Sequence, residues 1–148
     1  MAAPRRDRPH ANANFVVEIG RAGGQSIGAG FFEVIFPPFD VDGGGDRPRS
    51  PAPPAGDVAS RNDRLVLRRG ATGALDLYAW WDAARKGGSP RRRVVTVKLL
   101  ADDLRTVVLS WRFRNARPVS LSYSPLRALD GGVLMETIEL AFDDVEMV

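Results

Sequence analysis

The sequence contains no cysteine and only one histidine, and this composition excludes most enzyme chemistry. Without cysteine there can be no disulfide, no thiolate zinc site and no thiol nucleophile. His10 lies in an N-terminal segment without any helix or strand pattern, where nothing would hold it beside a nucleophile. The adjacent acids at 102–103 and 143–144 are typical of solvated turns rather than of a metal site. We therefore predict no enzyme activity, no cofactor and no metal site.

Long apolar runs are also missing. No stretch approaches the roughly 18 uninterrupted apolar residues that a membrane helix requires. The N-terminus lacks the apolar core of a secretory signal, and no Walker phosphate loop is present. We expect the chain to be made in the cytoplasm and not to insert into a membrane, and later release by another route stays open.

Charge is present in both signs but is unevenly distributed. The formal net charge is only +3, yet residues 61–93 carry nine basic side chains against three acidic ones, whereas residues 132–148 carry five acidic side chains and no basic one. The two regions could complement each other within one chain or between copies, or they could be two solvated faces. The candidate assembly contacts are Arg68, Arg69, Arg91, Arg92 and Arg93 on the basic side and Glu136, Glu139, Asp143 and Asp144 on the acidic side.

The hydrophobic pattern is mainly that of β-strands. A helix is predicted where Leu77, Tyr78, Trp81 and Ala84 recur at helical spacing, with Thr72 as its cap and glycines at 87–88 as its stop. Its bulky Tyr78, Trp80 and Trp81 predict a side that packs on the sheet rather than a ligand platform. This combination predicts a mainly β fold, a small antiparallel β-barrel or sandwich with one flanking α-helix. The predicted strands are 15–19, 31–36, 64–68, 94–100, 105–114, 119–123 and 133–142.

Two segments are predicted to lie outside the regular structure. Residues 1–13 form a flexible basic tail, and residues 14–148 form a single domain. Within that domain, residues 42–60 are rich in proline and glycine and cannot form a regular element. They are either a disordered loop, which the composition favours, or an extended arm that orders on a neighbour.

A basic loop around Arg91, Arg92 and Arg93 raises a different class of function, non-specific nucleic-acid binding. Arginines in a flexible loop can meet phosphates. The loop has no interleaved aromatic residues and no recognised reading motif, which makes a solvated loop or a subunit contact the favoured interpretation.

Six sequence blocks stand in a characteristic order: NFVVEI at 14–19, GFFEV at 30–34, LVLRRG at 65–70, LDLYAW at 75–80, WRFRNARPV at 111–119 and METIELAF at 135–142. Together they resemble the tail-tube protein family of contractile phage tails and phage-tail-like injection systems. The resemblance covers nearly everything from residue 14 to residue 148, and its strongest parts are the stretch from the Arg-Gly pair at 69–70 to the helix and the last two blocks.

The resemblance implies a structural role that needs no active site. Members form hexameric rings that stack into a hollow tube inside a sheath, and the implied partners are other copies of the chain and the sheath, baseplate and tape-measure proteins, with DNA or protein cargo in the lumen. In the family an ordered charged hairpin usually follows the second strand, whereas residues 42–60 are rich in proline and glycine here. A tube-initiating or baseplate-proximal paralogue is therefore the alternative within the family.

Overall fold

A computed structural model describes residues 9–20, 26–27, 30–40, 63–87 and 92–148. The predicted tail lies mostly outside these ranges and the predicted arm at 42–60 wholly outside them, so both stay predictions. The described residues form eight strands and one helix. In chain order these are β1 Phe15–Gly20, β2 Ser26–Ile27, β3 Phe31–Ile35, β4 Leu65–Gly70, α1 Asp76–Arg85, β5 Arg93–Leu100, β6 Val107–Tyr123, β7 Met135–Ala141 and β8 Asp144–Met147.

Every strand pairing is antiparallel, which confirms the predicted mainly β fold. The strand order is β2-β1-β5-β6-β7-β4-β3, and β8 lies beside β6. The first half of β6 pairs with β5 and the second half pairs with β7. Because β6 belongs to both halves of the sheet, it connects β1 and β5 on one side of the core to β3, β4 and β7 on the other.

A single long strand replaces two predicted strands at this junction. The segments 105–114 and 119–123 are joined in β6, so the prediction of a break between them was wrong. Asn115 has a φ of 55°, and the register with β5 shifts beside it, which is the signature of a β-bulge. A short polar side chain tolerates this left-handed conformation better than most others do. The bulge lets the strand turn from one half of the sheet to the other while its pairing continues.

The core lies between the two halves of the sheet and beneath the helix. Alternation along the strands supplies most of it, and Leu77 and Trp80 are the buried residues of the helix. Burial of this apolar surface is the main stabilising term. The buried apolar residues are Val17, Ile19, Phe31, Leu65, Leu67, Leu77, Trp80, Val95, Val97, Phe113, Ala116, Ile138 and Leu140.

The helix differs from its prediction in where it begins and in the side it buries. It begins at Asp76 without a side-chain cap, so Thr72 does not cap it. Trp80 is buried whereas Tyr78 is 43% exposed, which corrects the predicted buried stripe. Asp76 in the first turn is bonded to a strand residue of the core, and this attachment fixes which side of the helix meets the sheet.

The bulge at Asn115 yields a first prediction. Asn115→Ala should lower the free energy of unfolding by about 1 kcal/mol more than Asn115→Gly does, because only alanine suffers the steric cost of a left-handed φ. Both variants lose the hydrogen bond from the Asn115 side chain to Asp143, so their difference isolates the backbone term. Urea denaturation of the two variants measures it, and equal losses would contradict a strained left-handed residue here.

Candidate assembly site

The buried polar centre of the molecule is the guanidinium of Arg69, on β4, which is 5% exposed. Its Nε donates to Glu136 Oε1 of β7 at 2.8 Å, and its Nη1 donates to Asp76 Oδ2 of the helix at 3.1 Å. The guanidinium also lies 5.6 Å from the centre of the Phe31 ring on β3. This one side chain of β4 therefore contacts two other strands, β7 and β3, and the helix.

The ionisation of this centre is fixed by its surroundings. Burial alone would lower the pKa of Arg69, but hydrogen bonds to Asp76 and Glu136 raise it above its ordinary value. Burial would raise the pKa of Asp76, but the hydrogen bond and charge of Arg69 outweigh burial and lower it. Burial and a hydrogen bond to Glu136 raise the pKa of Tyr123. These groups therefore keep one protonation state around neutral pH, which suits a structural connection rather than proton transfer.

The basic and acidic regions of the sequence meet within one chain. Glu136 pairs with Arg69, and Glu139 pairs with Arg64 at 3.4 Å. A third ion pair of this kind joins Arg92 to Asp143 at 3.3 Å. Of the two arrangements that the sequence left open, complementarity within a chain is therefore present in the structure. Contacts of the same residues with another copy stay a prediction.

The other predicted contact residues have different surroundings. Arg68 is half-exposed and pairs with Glu33 at 3.0 Å, whereas Arg93 is buried with its guanidinium 4.8 Å from the centre of the Trp80 ring. Asp144 is exposed at the start of β8 and is opposite Arg114 in the register of β6. Arg91 lies outside the described residues. Only the half-exposed and exposed members of the set have charge at the surface that another copy could meet.

The outward side of β3, β4, β7 and the second half of β6 forms one surface, which we call the hydroxyl face. Its residues surround a shallow cavity of about 520 Å³. Its two arginines are in ion pairs with Glu139 and Glu33, so the face has charge but little net charge. The hydroxyl face comprises Glu33, Ile35, Arg64, Val66, Arg68, Ser120, Ser122, Thr137 and Glu139, and Phe36, Pro37 and Pro38 complete the lining of its cavity.

The outward side of β1, β5, β8 and the first half of β6 forms a second surface, which we call the charged face. Lys98 pairs with Glu18 across β5 and β1 at 3.1 Å. Arg112 and Arg114 both pair with Glu146 of β8, which lowers the pKa of this carboxyl. These ion-paired side chains share the face with Thr96 and the exposed Val94.

A third surface is apolar and was missed by the sequence reasoning. Residues 124–134 connect β6 to β7 and expose Leu126, Leu129 and Val133 at 84%, 98% and 74%. Within the connection, an exposed ion pair joins Arg127 and Asp130 at 3.2 Å. We call residues 124–134 the apolar loop. Large exposed apolar side chains mark candidate interaction sites. The sequence signal for them was aliphatic residues in a segment that also contains the turn-forming residues Pro125, Gly131 and Gly132.

The described part of the chain contains neither a candidate metal site nor a candidate membrane-spanning helix. No group of three or more histidine or acidic side chains there is arranged to hold a metal ion. No helix among those residues has the length and apolar character needed to cross a membrane.

The sheet order, the single helix and the surfaces above define the class of small β proteins with the tail-tube fold. A chain from the PVC sheath-tube complex, an extracellular contractile injection system in its extended state, superimposes with a TM-score of 0.69 at 21% identity, covering 97% of this chain and 93% of that chain. A chain of the anti-feeding prophage baseplate gives 0.65 at 22% identity, with 96% and 97% covered. Hcp1 from Flavobacterium johnsoniae gives 0.53 at 18% identity, with 89% and 94% covered.

The chain belongs to the family described as T4-like virus tail tube protein gp19, whose model matches residues 11–146. The resemblance predicted from the six sequence blocks is thereby confirmed. No curated protein matches the sequence.

The Arg69 centre predicts a large difference between two neighbouring arginines. Arg69→Met should lower the free energy of unfolding by about 3–5 kcal/mol, because it leaves Glu136 buried without its partner. Arg68→Met is the matched control and should cost less than about 1 kcal/mol, because its ion pair is half-exposed. Chemical denaturation of both variants measures the difference, and similar losses would refute the central role of Arg69.

The lowered pKa of Asp76 predicts how stability depends on acid. A carboxyl with a lowered pKa in the folded state stabilises that state above its unfolded pKa, and the contribution disappears as the pH falls through the folded pKa. Asp76→Asn should therefore be less stable than the natural chain at neutral pH, and the gap should narrow below about pH 4. Thermal unfolding of both chains between pH 7 and pH 3 tests this; a constant gap would contradict it.

Proposed function

We propose that this chain is a structural subunit of the inner tube of a contractile phage tail or phage-tail-like injection system. In this role it forms homohexameric rings that stack into a hollow tube, and it acts without catalysis. The observation that carries the proposal is the match to the tail tube family across residues 11–146. The fold shared with a chain of the PVC sheath-tube complex supports it.

Self-assembly is supported by the surface of the subunit itself. The apolar loop exposes three aliphatic side chains, and Phe36 and Phe39, whose ring centres lie 6.4 Å apart, form a second partly exposed apolar group. Removal of such apolar surface from water is favourable, so its burial against another protein would stabilise an assembly. Two different apolar patches on one subunit suit head-to-tail contacts, which produce rings when they close and filaments when they do not.

The proposed partners follow from the same role. They are further copies of the chain, the sheath and the baseplate of one particle, with a tape-measure protein and DNA or protein cargo inside the tube. The PVC complex contains sheath and tube, and the anti-feeding prophage structure is a baseplate, which supports these assignments. The chain would be made in the cytoplasm and would then become part of a phage tail or of an injection particle that can be released.

A baseplate-proximal role is the second candidate. The baseplate structure of the anti-feeding prophage contains a chain of the same fold, six-fold symmetrised, which favours a tube-initiating paralogue. Nucleic-acid binding has no such support, because Arg92 pairs with Asp143 and Arg93 is buried. Binding to a sheath protein along the whole tube would support the main tube, whereas co-assembly with a baseplate fraction alone would support the initiator.

The direct test is the assembly state of the purified chain. Gel filtration with light scattering should show a species of six subunits or larger, and electron microscopy should show rings or tubes, with baseplate proteins added if nucleation requires them. A chain that stays monomeric at high concentration in the presence of those proteins would contradict the proposal. Salt-dependent retention of DNA by such a monomer would instead favour the nucleic-acid alternative.

The apolar loop gives the assembly proposal a specific prediction. Leu126→Asp combined with Leu129→Asp should abolish ring or tube formation, because two charges would be placed where a neighbour would bury apolar surface. Both positions are exposed, so the free energy of unfolding should change by less than about 1 kcal/mol. Arg127→Gln, within the same loop, is the matched control and should assemble. Normal tubes from the double variant would remove the loop from the interface.

A further inference from the structure

A leucine in a strained conformation lies at the turn between β5 and β6, residues 101–106, which we call the hairpin tip. Leu104 has a φ of 59°, in the left-handed region that glycine and asparagine tolerate far better than leucine does. Its side chain is 61% exposed, so packing inside its own chain does not compensate for this conformation. Backbone strain of this kind is concentrated at functional positions. On the basis of the proposed function, we propose that Leu104 is a contact between copies and packs against the apolar loop of the next copy.

The hairpin tip holds this leucine in one position. Asp103 Oδ1 accepts hydrogen bonds from the backbone nitrogens of Arg105 at 2.9 Å and Thr106 at 2.8 Å, and Asp103 Oδ2 accepts one from Thr106 Oγ1 at 2.6 Å. The backbone nitrogen of Leu104 donates to the carbonyl oxygen of Ala101 at 2.9 Å. Because these bonds already order the turn, little conformational entropy remains to be lost when a partner covers the leucine.

The apolar surface continues from the hairpin tip along β6. Leu109 is on the same side of the strand as the buried Phe113, yet it is 37% exposed, and Val107 beside the tip is 45% exposed. The end of the hairpin therefore extends past the residues that cover the core. Together with Leu104, these two side chains give the hairpin an apolar end.

The apolar loop suits this surface as its partner. Its Leu126, Leu129 and Val133 are the three most exposed large apolar side chains among the described residues. Its charged residues Arg127 and Asp130 pair with each other and are exposed, so they can stay at the edge of a contact. Burial of the three apolar side chains against the hairpin end would remove apolar surface of both copies from water.

The other partly exposed apolar group is a poorer partner, because its own chain covers part of it. The centre of the Phe36 ring lies 4.8 Å from that of Trp111. The centre of the Phe39 ring lies 6.3 Å from that of Phe113. These rings therefore gain less from a second copy than side chains that are almost fully exposed.

The positions of the two surfaces favour head-to-tail contact. The hairpin tip precedes β6 and the apolar loop follows it, so one copy presents them at opposite ends of a 17-residue strand. Contact between unlike surfaces of identical copies closes into a ring or extends as a filament. Three aliphatic side chains on each side are far fewer than the roughly 20–30 residues a side of a stable pairwise interface. Such a contact is effective when every subunit repeats it, which a second copy provides and a single foreign partner does not.

Two substitutions at position 104 test the contact. Leu104→Met keeps an apolar side chain and the backbone strain, whereas Leu104→Asn removes the apolar side chain and tolerates the left-handed φ. We expect Leu104→Asn to unfold at a higher urea concentration than the natural chain, yet to need at least about tenfold more protein to assemble, because each contact loses a buried leucine. Urea denaturation of the unassembled chain and light scattering of the assembly measure the two effects.

Leu104→Met is the matched control and should resemble the natural chain in both measurements. Normal assembly of Leu104→Asn would overturn the inference. A lower unfolding midpoint for Leu104→Asn would also overturn it, since the leucine would then support its own fold.

Cysteine variants identify the partner surface, because the natural chain has no cysteine. Oxidised assemblies of Leu104→Cys combined with Leu129→Cys should give linked dimers and longer species on a non-reducing denaturing gel. Each single variant is a control and should give no linked chains, since head-to-tail contact does not bring like surfaces together. Leu126→Cys in place of Leu129→Cys supplies a second geometry for the disulfide.

Linked chains from a single variant would overturn the head-to-tail arrangement. Absence of links from both double variants would overturn the apolar loop as the partner and would favour another protein, such as the sheath, as the occupant of the hairpin end. Absence of rings and tubes from the natural chain would instead overturn the proposed function itself.

Discussion

The buried guanidinium of Arg69 is the interaction on which the arrangement of the subunit depends. It is bonded to Glu136 on β7 and Asp76 on the helix, and it lies against Phe31 of β3. An unpaired charge in such a place would be strongly unfavourable, so the strands and the helix must approach in one relative position to satisfy it. The apolar core supplies most of the stability, and the arginine restricts how the pieces around it can be placed.

The bulge at Asn115 is the second constraint, and it acts on the sheet as a whole. It permits β6 to pair with β5 and β8 before the bend and with β7 after it. Two outward faces result: on the hydroxyl face serine and threonine lie beside ion pairs and apolar side chains, and on the charged face ion pairs connect neighbouring strands. The apolar loop leaves aliphatic side chains exposed beside this sheet, which suits the self-assembling role proposed for this member of the tail tube family.

Much of the fold could be predicted because it follows from local patterns. Alternation marked β1, β4 and β7, and apolar β-favouring runs marked β3 and β5, all to within about two residues, while the glycine after Lys86 marked the end of the helix. Alternation did not mark β8, which is short and half-buried, or show that β6 continues through its bulge. The helix was placed correctly but its buried side was not, because Tyr78 and Trp80 are both suitable core residues and only the attachment of Asp76 selects between them.

The sequence by itself determined the class of the protein: a mainly β chain with blocks that resemble a tail-tube subunit, since these properties depend on residue types and short spacings. Only the tertiary structure decided how the charges are used. Arg69 and Glu136 are 67 positions apart, and nothing local distinguishes their buried pair from the half-exposed pair of Arg68 and Glu33. Neighbouring arginines point to opposite sides of β4, so the fold, rather than the charge pattern, makes one internal and presents the other at the surface.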